Sequence, residues 1–98
     1  MDIARGWLLK MRESAIEKKV TEYAKKHGWL SYKWTSPNHR AVPDRLYFKA
    51  GRVLLVEFKA QGKKPSQLQA KVHQKLREEG FNVHVIDRIE TGKPLFTR

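Results

Sequence analysis

Two runs rich in aromatic and β-branched residues, Arg45 to Lys49 and Arg52 to Lys59, are separated only by Ala50-Gly51. Such runs favour extended backbone and the short break favours a tight turn, so the segment is predicted to be a β-hairpin. Side chains alternate along a strand, which puts Val53, Leu55, Glu57 and Lys59 on one face and Leu54, Val56 and Phe58 on the other. An apolar row therefore continues into two opposite charges at the strand's end, where an open sheet exposes a cleft. Folding about Ala50-Gly51 also brings residues near position 44 opposite residues near 57 or 58.

The remaining elements follow from periodicity and punctuation. Glu13 to His27 reads as a helix, with Ile16, Val20, Tyr23, Ala24 and His27 at helical spacing, Gly28 as its terminator and Lys25, Lys26 and His27 at the negative end of its dipole. Trp29 to Trp34 alternates, with Leu30, Tyr32 and Trp34 on the side expected to be buried. Thr35 to Arg40 is loop chemistry, and Gln61 to Pro65 is a polar loop. Ser66 caps a second helix to Glu79, with Leu68, Val72 and Leu76 as its apolar stripe and Gly80 as its end. Phe81 to Ile86 is a fourth strand. The order is αβββαβ, an α/β chain in which the second helix joins the third strand to a parallel fourth, giving a mixed sheet flanked by helices. Ile3, Trp7 and Met11 recur at helical spacing and suit a short extra helix or a dimer contact.

With 98 residues the chain makes one domain with a single modest core. Its net charge of +11, from 21 Lys and Arg against 10 Asp and Glu, points to a polyanionic partner, most simply nucleic acid. The absence of cysteine excludes disulfides, thiolate zinc sites and cysteine nucleophiles, and fits a reducing compartment. No apolar run approaches a membrane span, and Met1 to Met11 lacks the apolar core and cleavage site of a signal peptide.

Chemistry gathers at the end of the hairpin. Taken alone, Glu57-x-Lys59 reads as a salt bridge at a strand terminus and Pro43-Asp44 as a turn signal. Joined by the hairpin, Asp44, Glu57 and Lys59 become a shared site. Two carboxylates and an amine are the minimal equipment for holding a divalent cation and activating water beside a phosphodiester. On the first helix Glu13 falls inside the apolar arc and Glu17 at its margin. A carboxylate on a buried face needs a cation or donors; Glu13 equally suits the first turn of a helix as a favourable charge. Gln69 can complete a capping box with Ser66 or reach back toward Lys59, and His73 lies one turn further on the same face. Lys33, Ser36, His39, Arg40, Arg45, Lys63, Lys64 and His73 are candidate nucleic-acid contacts, the cations among them suited to phosphates flanking a scissile one. His27 and His84 read as structural, for want of ligand-like partners.

At these residues the chain resembles the virus-type replication–repair nuclease (VRR-NUC) domain, a branch of the PD-(D/E)XK nuclease superfamily. The matching stretches are Glu13-Ser14-Ala15-Ile16-Glu17, Lys33-Trp34-Thr35-Ser36-Pro37, Val42-Pro43-Asp44-Arg45 and Val56-Glu57-Phe58-Lys59-Ala60, followed by Gln69, His73 and Leu76 before Gly80. They run in order over roughly residues 13–88, leaving 1–12 as an N-terminal extension and 89–98 as a tail. The resemblance implies a restriction-endonuclease-like core. It implies that Asp44, Glu57 and the Phe58 backbone carbonyl bind Mg²⁺ or Mn²⁺, that Glu13 acts on the metal through water and that Gln69 supports the site. Lys59 would orient or help deprotonate the attacking water and stabilise the developing charge. One departure is Ala41, where the family pattern leads us to expect Gly.

Stand-alone members of this family come from phages and bacteria and resemble Holliday-junction resolvases in fold and dimerisation. The expectation is thus a structure-selective, metal-dependent endonuclease for branched DNA of junction or flap type, a homodimer, in the cytoplasm of a bacterial or phage-infected cell. The competing class is a non-catalytic basic nucleic-acid-binding module, which needs no converging carboxylates. Sequence-specific restriction ranks last, because so short a chain leaves little room for a base-reading element.

Overall fold

The computed structural model describes residues 10–98. Helix α1 (Glu13–Lys26) leads into strands β1 (Leu30–Lys33), β2 (Arg45–Lys49) and β3 (Arg52–Phe58), then helix α2 (Gln67–Glu78) and strand β4 (Asn82–Ile86). The four strands form one sheet in the order β1-β2-β3-β4, antiparallel except for the parallel pair β3–β4 that α2 connects. The predicted αβββαβ order and mixed sheet are therefore the observed ones. The extra helix or dimer contact expected of Ile3, Trp7 and Met11 falls mostly on residues 1–9, outside the described residues; Met11 itself packs against the core.

The hairpin turn explains the register. Ala50 and Gly51 both have positive φ, 49° and 79°, the conformation whose twist matches the flanking strands in a two-residue loop. Lys49 consequently pairs with Arg52, and Arg45 with Val56.

The core lies between α1 and one face of the sheet. Ile16, Val20 and Ala24 pack on Tyr47, Leu54, Val56, Phe58 and Ile86. The last ten residues are not a tail. Residues 89–96 fold as a short helix, α3 (Ile89–Gly92), and a 3₁₀ turn (Lys93–Phe96) that complete this core. The Phe96 ring is buried edge-on against Trp29 at 5.4 Å, and Trp29 Nε1 donates to the Phe96 carbonyl at 2.9 Å. Close approach of α3 requires Gly92, because a Cβ there would stand 2.9 Å from Ile86 Cγ2 and 3.1 Å from Val20 Cγ2.

Strand β1 departs from expectation. Leu30 and Tyr32, predicted to be buried, are 53% and 57% exposed, while Trp29 is in the core. β1 is an edge strand whose other face meets α1, and α2 covers the far side of the sheet, where Arg77 donates to the Val83 carbonyl at 2.9 Å. Leu68, the first residue of the predicted α2 stripe, is likewise exposed.

Candidate active site

The pairing of Arg45 with Val56 places Asp44 beside Glu57, as the turn length predicts. Asp44 is held at two points. Its carbonyl accepts from Trp34 N–H at 2.9 Å, and its Oδ2 accepts from Phe58 N–H at 2.7 Å. The carboxylate is thus tied to the backbone of the strand that carries Glu57. The preceding Pro43 is fully buried, which fixes the entry to β2.

Glu57 is only 2% exposed. Its Oε2 accepts from Gln69 Nε2 at 3.1 Å and lies 3.7 Å from Lys59 Nζ. Its Oε1 faces His73 Nε2 at 3.7 Å, and neither of those buried atoms has a hydrogen-bond partner. Burial, then the charge of Asp44, pushes the Glu57 carboxyl up to about 7; Lys59 opposes this, while Glu13 and a hydrogen bond with Asp44 add to it. His73 is pushed down by burial first, then by Arg77 and Lys59, so its imidazole is held neutral.

A buried carboxylate beside a second one, with an oxygen left unpartnered, carries more negative charge than the surrounding side chains offset. A divalent cation would supply the difference. Among the described residues, no three His, Cys, Asp or Glu side chains cluster into an all-protein metal cage. Mg²⁺ does not need one, since it keeps several waters and is commonly held by one or two carboxylates plus substrate phosphates. Asp44 and Glu57 fit a cation bound in that way.

Gln69 fills both roles that its position allows. Its Oε1 accepts from Ser66 N–H at 2.9 Å and its N–H donates to Ser66 Oγ at 3.1 Å, a complete capping box. The box orients the amide so that Nε2 points at Glu57, not at Lys59. His73, one helical turn on, is 1% exposed and faces Glu57. It is therefore out of reach of a DNA strand, contrary to its expected role as a contact.

The two helix carboxylates separate. Glu13 is exposed, not buried as its place in the arc predicts, because the apolar face of α1 begins at Ile16. It nevertheless stands on the Glu57 side, where its charge is felt. Glu17 accepts from Arg45 Nε at 2.6 Å and pairs with Lys33 at 3.5 Å. Arg45 also donates to Ser31 Oγ at 3.2 Å, so its guanidinium is committed inside the protein. Of the other expected contacts, Lys33, His39, Arg40, Lys63 and Lys64 are exposed and Ser36 is half-buried. The Glu17–Arg45 pair and the buried Thr21 hydroxyl bonded to Tyr47 at 2.7 Å were not legible in the sequence, since each joins α1 to a strand far along the chain.

A four-stranded mixed sheet with helices on both faces, and with Asp44, Glu57 and Lys59 converging at the end of its hairpin, defines the restriction-endonuclease-like class of fold. No family model matches the chain. It is 41% identical over 78 residues, 79% of this chain and 84% of the relative, to "Putative nuclease p44" of Acyrthosiphon pisum secondary endosymbiont phage 1. A solved VRR-NUC domain superposes with a TM-score of 0.82 at 26% identity, over 88% of this chain and 95% of that one. The chain belongs to the VRR-NUC family.

Proposed function

We propose that this protein is a divalent-metal-dependent endonuclease that hydrolyses phosphodiesters in branched DNA of junction or flap type. The observation that carries this reading is the buried Glu57 carboxyl, raised to about 7 beside Asp44 and within 3.7 Å of Lys59. Asp44, Glu57 and the Phe58 carbonyl would hold the cation, and Glu13 would act on it through water. Bound Mg²⁺ or Mn²⁺ supplies Lewis-acid activation of the phosphoryl group and of water. Lys59 orients the attacking water and stabilises charge developing on the phosphoryl oxygens. Hydrolysis joins a water oxygen to phosphorus and breaks one ester bond, and the leaving oxygen takes a proton from solvent. Gln69 keeps Glu57 in place. We assign Lys33, Ser36, His39, Arg40, Lys63 and Lys64, exposed except for the half-buried Ser36, to contacts with flanking phosphates and sugars. One copy supplies one such site, so paired cuts across a symmetric junction call for a homodimer. Among the described residues no helix is long and apolar enough to cross a membrane.

The test is cleavage of end-labelled single-stranded, flap, splayed and four-way substrates with Mg²⁺ or Mn²⁺, with Lys59→Ala as control. We expect metal-dependent cuts near branch points, and a loss of about a hundredfold or more in Lys59→Ala with DNA binding retained. Equal turnover in both proteins would refute the assignment of Lys59. Salt-sensitive binding with no turnover in any metal would leave a nucleic-acid-binding module instead.

A further inference from the structure

Beside the carboxylate pair, the segment 34–42 and helix α2 enclose a groove of about 540 Å³. Trp34 and Val42 form one wall, Val72 and Leu76 the other. Ser36 and Asn38 bring hydrogen-bonding groups into it, and Arg40 and Lys75 bring positive charge. Both walls belong to the elements that build the site. Trp34 N–H binds the Asp44 carbonyl, Val42 precedes Asp44 by two residues, and Val72 adjoins His73, which faces Glu57. Groove and carboxylates are therefore held in fixed relation by backbone and by α2.

We infer that this groove receives an unpaired nucleobase of the strand being cut, so that the scissile phosphodiester is presented next to a nucleotide outside the double helix. The inference rests on the nuclease reading above and specifies its substrate. Aromatic and apolar walls accept the flat face of any base. The side chains of Ser36 and Asn38 can both donate and accept, as a base edge requires. Arg40 and Lys75 suit the phosphates on either side. A base inside a duplex is stacked and paired, so drawing it out is costly, and least so where it is already unpaired. The groove thus favours flaps, branches and single strands over uninterrupted duplex. A second copy seated in this groove would cover its apolar walls but leave Arg40 and Lys75 without the anionic partner that a nucleotide's phosphates supply, so a homodimer would pair through another surface.

The full-length protein is titrated, in EDTA, against two oligonucleotides carrying the same 2-aminopurine, unpaired at a branch in one and paired within duplex in the other. Binding should quench the unpaired probe about threefold or more and the paired probe far less, because only the first can stack in the groove. Val72→Arg, which fills the groove, and Asn38→Ala, on the exposed segment, should weaken binding of the branched probe about tenfold more than of the duplex. With Mg²⁺, the ratio of branched to duplex cleavage should fall in parallel. An unquenched probe with the wild-type protein overturns the inference, whatever the variants do. So does a binding ratio unchanged in folded variants, or a Val72→Arg protein that turns from dimer to monomer while quenching persists. Metal-dependent cleavage with an unchanged ratio refutes the groove alone; no metal-dependent cleavage of any substrate refutes the nuclease reading.

Discussion

Gln69 gives its amide nitrogen to Glu57 Oε2 at 3.1 Å while its amide oxygen is held by Ser66 N–H at 2.9 Å. A helix cap thereby sets which end of the amide faces the carboxylate. Ser66→Ala removes one half of the box and should cost about 1 kcal/mol of stability. It should slow cleavage about tenfold, because the amide is less firmly aimed. Gln69→Glu keeps an acceptor for Ser66 but replaces the Glu57 donor with a third carboxylate, and should tighten Mn²⁺ binding at pH 8 about tenfold while misplacing Glu57 for cleavage. Calorimetry with Mn²⁺ beside thermal melts separates the two effects. Equal Mn²⁺ affinity in Gln69→Glu and wild type would show that the amide has no part in the site.

Stability should fall with rising pH in metal-free buffer. Glu57 holds its proton up to about 7 in the folded protein against 4.5 in the unfolded chain. The group's contribution is thus fully present below pH 4.5 and is lost as the pH rises through 7. Glu57→Gln cannot ionise, so relative to wild type it should gain up to about 3 kcal/mol between pH 4.5 and 8. It should also lose cleavage. Added Mg²⁺ should stabilise wild type more at pH 8 than at pH 5.5, and Glu57→Gln little at either. Urea unfolding curves that run parallel with pH for the two proteins would exclude the buried carboxyl as the source.

The site was more legible than its surroundings, for a local reason. A two-residue turn and strand alternation are short-range rules, and they place Glu57 and Lys59 on one face with Asp44 opposite. The burial of His73 depends on how α2 crosses the sheet, and no spacing in the helix announces it. Leu30 and Tyr32 alternate as a half-buried strand does, but a strand at the sheet's edge meets a helix on one face only. Phe96 follows Pro94 after a glycine, which reads as punctuation, yet its ring closes the core against Trp29 and Tyr47.

That closure predicts where truncation will hurt. Phe96→Ala should cost about 3–5 kcal/mol, as for other fully buried aromatic residues. Gly92→Ala should cost about 1–3 kcal/mol, because its Cβ would press on Ile86 and Val20. Chemical denaturation measures both. A Phe96→Ala protein as stable as wild type would mean that the last ten residues are dispensable to the core.

Arg45 should behave as a structural cation. Its guanidinium serves Glu17 and Ser31, so Arg45→Ala leaves a half-buried carboxylate with only the exposed Lys33 beside it. We expect a stability loss of about 1–3 kcal/mol, with the salt slope of DNA binding unchanged. Lys63→Ala should do the reverse, leaving stability within about 0.5 kcal/mol and lowering the slope by about one counterion. A reduced salt slope in folded Arg45→Ala would return Arg45 to the DNA surface.

Ala41 has φ 68°, in the left-handed region where a Cβ costs roughly 1–2 kcal/mol. This is the position before Val42-Pro43-Asp44 where glycine is the expected residue, and the backbone supplies the reason. Ala41→Gly removes the strain but gives the unfolded chain more freedom, worth about 0.5–1 kcal/mol in the opposite sense. A net gain of up to about 1 kcal/mol is expected. Ala50, at φ 49° in the hairpin turn, presents the same conformation at an exposed site, so Ala50→Gly should match it. The two gains should add if the positions do not share partners. Ala41→Val should instead destabilise the protein, because a β-branched side chain is least tolerated at positive φ. If Ala41→Gly and Ala50→Gly both lowered the melting temperature, backbone strain would not be the cost these two alanines carry.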